Sequence, residues 1–224
     1  MQGRAFGRRR PAFAPDSIDA RMDPITLAFA LLFTAMTAVI VPIYYKQHGP
    51  ANFLWFSDIA LVGMTIALWL ESPLIASMMA VGVLLPEAVW VASFLGGLLF
   101  NRSVSSLAGY MFDPTLPRYL RALSLFHLAL PPAMLWMLYR YGYDERALPA
   151  QTALAWLVLP ATFLLAPPEK NVNWVRGFGH PPKSPVPPRL HLLLMMIGYP
   201  LVVYLPTHWL LRALAPAAGG WPAH

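Results

Sequence analysis

Cysteine is absent from the chain, which excludes disulfides, thiolate metal sites and cysteine nucleophiles. Charge is scarce as well. Asp, Glu, Lys and Arg make up 12% of the 224 residues, about half the share in a soluble domain. There is no internal repeat, so an inverted-repeat transporter architecture has no support. The tail formed by residues 1–21 lacks the apolar core and small-residue cleavage site of a secretory signal.

What fills the chain instead is apolar: 58% of its residues are hydrophobic. They fall into blocks of about 20, the length a helix needs to cross a hydrocarbon layer roughly 30 Å thick. The blocks predict an all-α membrane bundle of six transmembrane helices, at about residues 25–45, 52–70, 73–100, 116–138, 149–166 and 190–211. Residues 22–214 form that domain, between a basic tail at 1–21 that reads as disordered and a short tail at 215–224. The 24 prolines predict kinked helices, because packed neighbours in a membrane re-satisfy the backbone groups that proline frees. The third block spans 28 residues, about 42 Å of helix, so it must tilt, bend or emerge, and Pro86 is the expected bend.

The formal charge of +6 reads as basic residues facing anionic headgroups, with membrane lipids as partners and no nucleic acid. The localisation this implies is a cell membrane, the bacterial cytoplasmic membrane in particular. Orientation depends on the start codon. From Met1, eight Arg and Lys lie on each side; from Met22 the balance is three against eight, which places loops 1, 3 and 5 in the cytoplasm.

Ionisable side chains inside a span are costly and mark candidate sites. Three are deep: Asp58 in span two, Glu87 in span three and His127 in span four. Counting helical rise from the loops puts Ser57, Asp58, Ser124, His127 and mid-depth Glu87 in one polar half of the bundle, beneath loops 1, 3 and 5. Loop 5, Pro167–Arg189, carries seven prolines and the string Glu169-Lys170-Asn171-Val172-Asn173-Trp174. With His180 and His191 it is expected to lie over the same mouth, so Glu169, Asn171, Asn173, Trp174 and His191 are candidate substrate or lid residues.

Three chemistries fit these groups. Ser57 is a candidate nucleophile with His127 as its base and Asp58 or Glu87 in support. Alternatively, His127, His191, Asp58 and Glu87 bind a metal; with no closely spaced histidine pair in their favour, the reading assigns no metal ligands and leaves any cofactor unknown. In the third, all are structural: Asp58 bonds to a hydroxyl or to an arginine such as Arg121, Glu87 is protonated or bonded within the Pro86 kink, and His127 donates to a carbonyl freed by Pro131 or Pro132. Asn101-Arg102-Ser103 matches the glycosylation pattern, Gly96-Gly97 suits close helix packing, and aromatic residues such as Tyr44-Tyr45 read as interfacial anchors.

The order of these features resembles the YwaF-type six-helix integral membrane family, whose relatives include a transmembrane acyltransferase acting on phospholipids. The likeness covers spans two to six. It rests on Trp55-Phe56-Ser57-Asp58, on Phe112-Asp113-Pro114 followed by Ser124-Leu125-Phe126-His127, and on Asn173-Trp174 with Pro181-Pro182. The family pattern has a cysteine where this chain has Ser57 and a histidine where it has Trp55. The resemblance implies a lipid acyl hydrolase or acyltransferase using Ser57 and His127. The contrasting expectation is a non-catalytic protein, either a small-solute or proton carrier or an accessory subunit with membrane-protein partners.

Overall fold

The computed structural model describes residues 22–100, 106–179 and 181–214. The basic tail, the Asn101-Arg102-Ser103 pattern, His180 and the 215–224 tail lie outside the described residues. Within them the chain is all-helical, with a lone antiparallel bridge between Phe178 and Lys183.

Helix α1 (Pro24–His48) starts where the Asp23 carboxylate accepts from the backbone N–H groups of Ile25 and Thr26, with Pro24 in the first turn. It ends at Gly49, whose φ of 75° leaves the helical region. A short 3-10 turn, Pro50–Leu54, leads to α2 (Phe56–Trp69). The α2–α3 hinge closes tightly: Glu71 takes a φ of 47° and the Ser72 N–H reaches back to the Ala67 carbonyl at 2.9 Å, a Schellman-type end usually made by glycine. The Glu71 side chain is held in turn by the Tyr141 hydroxyl at 2.6 Å.

Helix α3 (Pro73–Phe100) is the hub, packing on α2 and on every later long helix but the start of the last. It runs through Pro86 as one helical element. The expected fourth span is divided into α4 (Arg118–Leu123) and α5 (Phe126–Tyr141). At the joint the amides of His127 and Leu128 bond three residues back, to Ser124 and Leu125, which tightens the chain locally. Helix α6 (Ala147–Leu165) follows, then loop 5, then α7 (Pro188–Gly198) and α8 (Leu205–Leu214), joined through a wide π-type turn at Tyr199–Tyr204 that contains Pro200.

Five of these stretches are long and apolar enough to cross a membrane: Pro24–His48, Pro73–Phe100, Arg118–Tyr141, Ala147–Leu165 and Pro188–Leu214. The expected second span, at 52–70, is shorter than the sequence suggested. Only the 14 residues of α2 are α-helical, about 21 Å, because Pro50 and the 3-10 turn take up its start. The molecule is apolar on its outside as well as within: Leu99, Leu157, Leu164 and Val202 are mostly exposed, while Phe33, Leu61, Met64, Met134 and Leu159 are fully buried. That is the build of an integral membrane bundle.

Glycines set the closest approaches. A Cβ at Gly63 would strike Met79 across the α2–α3 hairpin, and one at Gly82 would strike the Gln151 amide of α6. At Gly97 it would meet the Phe112 ring, so one of the paired glycines does serve close packing.

Candidate functional site

The joint between α4 and α5 faces the middle of α3, and this contact brings Glu87 and His127 together. Glu87 Oε2 lies 2.8 Å from His127 Nδ1, with the glutamate 3% exposed. The imidazole is held flat between two aromatic faces, Trp90 at 4.4 Å and Phe126 at 4.2 Å between ring centroids, each within 24° of parallel. Phe94 stacks on Trp90 and Phe112 on Phe94, extending the stack toward loop 3. With the carboxylate on Nδ1, that nitrogen carries the proton and Nε2 presents its lone pair. Among the described residues no hydrogen bond is recorded at Nε2.

Asp58, in the first turn of α2, is buried and lies within electrostatic range of Glu87. Its Oδ2 accepts from Asn52 at 3.3 Å, and its Oδ1 is buried with no hydrogen-bond partner among the described residues. The Tyr44 hydroxyl shares a 2.9 Å hydrogen bond with Ser124, and Tyr110 lies beside Ser124 and Trp90, within range of both carboxylates. Tyr44, Tyr110, Trp90 and Asn52 are members of the cluster that sequence reasoning missed. For Tyr44 the only signal was its phase on the helix: it is 5% exposed and its neighbour Tyr45 61%, so the pair reads as one anchor and one interior residue.

Of the three deep ionisable groups, Glu87 and His127 are therefore in contact, and Asp58 is within electrostatic range of Glu87. Arg121 donates to the Met111 carbonyl rather than to Asp58, and His127 pairs with Glu87 rather than with a proline-freed carbonyl. Ser57 is half-buried on α2 and forms no recorded hydrogen bond with His127 or the carboxylates.

Loop 5 is tied down by side chains that end helices. Asn173, 3% exposed and in the left-handed region, accepts from the Phe56 N–H at 3.2 Å and donates to the Leu54 carbonyl at 2.7 Å, so it caps α2 from outside the helix. Asn171 donates to the Gly177 and Gly179 carbonyls and accepts from the Arg176 N–H. Arg176 bonds the Phe163 carbonyl near the end of α6 and lies over the Phe163 ring. Lys170 bonds the His48 carbonyl at the end of α1. His191 sits between the Trp174 carbonyl at 3.0 Å and Ser184 at 3.1 Å. The polar groups of Asn171, Asn173 and His191 are thus taken up by the loop and its neighbours, while Glu169 is exposed and Trp174 half-buried.

The described residues contain no group of three or more His, Asp or Glu positioned for a metal; His191, placed in that set by one sequence reading, is committed to loop 5. At the opposite end of the bundle the polar contacts fasten loops. Asp144 receives both Nε and Nη2 of Arg146 and its N–H donates to buried Ser77. The bonded guanidinium holds Asp144 below the usual carboxylate range. Tyr143 bonds His208 at 2.6 Å.

An open apolar groove of about 390 Å³ runs between α1 and the α4–α5 joint, lined by Met36, Val39, Ile40, Leu123, Leu125 and Phe126 among others. Ile40 lies one helical turn before Tyr44, and Phe126 is the ring stacked on His127, so two of the groove's lining residues adjoin members of the polar cluster.

Fold and site together define a helical membrane bundle with a carboxylate–imidazole pair buried in its interior. No protein family, curated protein or solved structure matches the chain.

Proposed function

We propose that the chain is an integral enzyme of the bacterial cytoplasmic membrane that acts on lipid acyl groups, as a hydrolase or acyltransferase, with Glu87 and His127 as an oriented general-base pair. The 2.8 Å contact between Glu87 Oε2 and His127 Nδ1 carries this reading: it is the base-and-orienter geometry that acyl chemistry needs, with Nε2 left for the reacting group. His127 takes the proton of an attacking hydroxyl as its oxygen bonds to the acyl carbonyl carbon, then returns that proton to the departing alkoxide. Ser57 is the first candidate for that hydroxyl; the alternative is a hydroxyl of water or of an acceptor lipid, used directly. The resemblance to the YwaF-type family supports acyl chemistry, and six membrane crossings, α2 included, complete the architecture.

The test is turnover of a phospholipid panel by purified protein, paired with fluorophosphonate labelling. Turnover lost in both Glu87→Gln and His127→Gln supports the pair, and Ser57-dependent labelling assigns an acyl-enzyme route. No turnover of any lipid overturns the reading. The nearness of the Asp58 and Glu87 charges favours a second reading, a proton-coupled carrier. It requires flux in proteoliposomes that Asp58→Asn and Glu87→Gln abolish.

A further inference from the structure

His127 compensates Glu87, but nothing described compensates Asp58. It is 6% exposed, its Oδ2 has only a neutral amide at 3.3 Å, and its Oδ1 is buried without a partner. Among the described residues its carboxylate is in no ion pair. A buried carboxylate in this state is relieved by taking up a proton or by a cationic donor, and a lipid ammonium would be such a donor. The hydroxyls of Tyr44 and Tyr110 are both within electrostatic range of its charge. An orphaned acceptor needs an N–H, which a primary ammonium has and a trimethylammonium lacks. The lateral groove, lined by Leu123 and Leu125 on either side of Ser124 in sequence, is apolar and open, the shape for a lipid chain whose headgroup lies at the cluster.

The geometry points to Asp58 as the subsite for the primary ammonium of an aminophospholipid headgroup, with an acyl chain of the same lipid lying in the groove between α1 and the α4–α5 joint. The assignment rests on the lipid-acting reading of the site, yet it concerns binding and needs no turnover.

Delipidated protein is offered equimolar phosphatidylethanolamine, phosphatidylcholine and phosphatidylglycerol of identical chains, and bound lipid is counted by native mass spectrometry. Wild type is expected to retain phosphatidylethanolamine about tenfold over each of the others, the worth of one charge-assisted hydrogen bond. Asp58→Asn should erase the preference, while Asp58→Glu, which keeps the charge, should retain most of it. Val39→Trp, which fills the groove from a position 48% exposed, should lower retention of all three lipids. Equal retention by wild type overturns the assignment, as does a preference that survives in Asp58→Asn. Free ethanolamine competing as well as the lipid would overturn the groove's part, and displacement of the lipid by sodium or potassium ions alone would assign Asp58 to an inorganic cation instead. Preference without turnover on any lipid panel would fail the enzyme reading and leave this one standing.

Discussion

Replacing both members of the buried pair should hurt the protein less than replacing one. His127→Phe keeps an aromatic ring between Trp90 and Phe126 but strips Glu87, 3% exposed, of the partner at 2.8 Å. A buried carboxylate left unpaired costs about 3–5 kcal/mol. Glu87→Met leaves only the His127 N–H without its acceptor, a loss of about 1–3 kcal/mol. The double variant buries no orphan and conserves volume, so it should unfold within about 1 kcal/mol of wild type, since well-packed apolar replacements of buried ion pairs are often neutral. The cycle thus carries a coupling of several kcal/mol, with the histidine variant the weaker of the two single ones. Reversible unfolding in mixed micelles, followed by tryptophan fluorescence with Trp90 stacked directly on the site, reads all four proteins. Additive losses, or single variants as stable as wild type, would refute the pairing. The double variant should also be inactive on any lipid that wild type turns over, which separates catalysis from folding.

Three further outcomes follow from other contacts. Asn173→Ala removes the two bonds to Leu54 and Phe56 and should cost about 2–4 kcal/mol, measured as a lower midpoint in the same unfolding assay; Asn173→Gly should cost about 1 kcal/mol less, because glycine accepts the left-handed backbone freely. Gly82→Ala should destabilise by about 1–3 kcal/mol through collision with Gln151, and combining it with Gln151→Ala should cost less than the sum of the two. Because the bonded Arg146 lowers the folded-state pKa of Asp144, the stabilisation is present above the unfolded value of about 3.9 and is lost as pH falls through the lower folded value. Thermal midpoints recorded from pH 6 to pH 3 should therefore fall less steeply below pH 4 in Asp144→Asn than in wild type.

The sequence by itself determined the helical membrane architecture, the order and approximate ends of the long helices, and the depth of Asp58, Glu87 and His127. These follow from hydropathy and from 1.5 Å of rise per residue, quantities that need no neighbour. Rotation about each helix axis is different, because packing between helices sets it. Only the tertiary structure decided that Glu87 meets His127, that Asp58 turns to Asn52 instead of Arg121, and that Tyr44 points inward while Tyr45 points out. It also decided the use of loop 5. The polar string looked like a site because polar groups over a mouth are rare, yet Asn173 serves a helix end 117 positions away in the chain, a pairing without local signature. The shortened second span has a similar origin: hydropathy continues through Asn52 to Leu54, but the 3-10 turn after Pro50, held by Asn173, starts the helix only at Phe56.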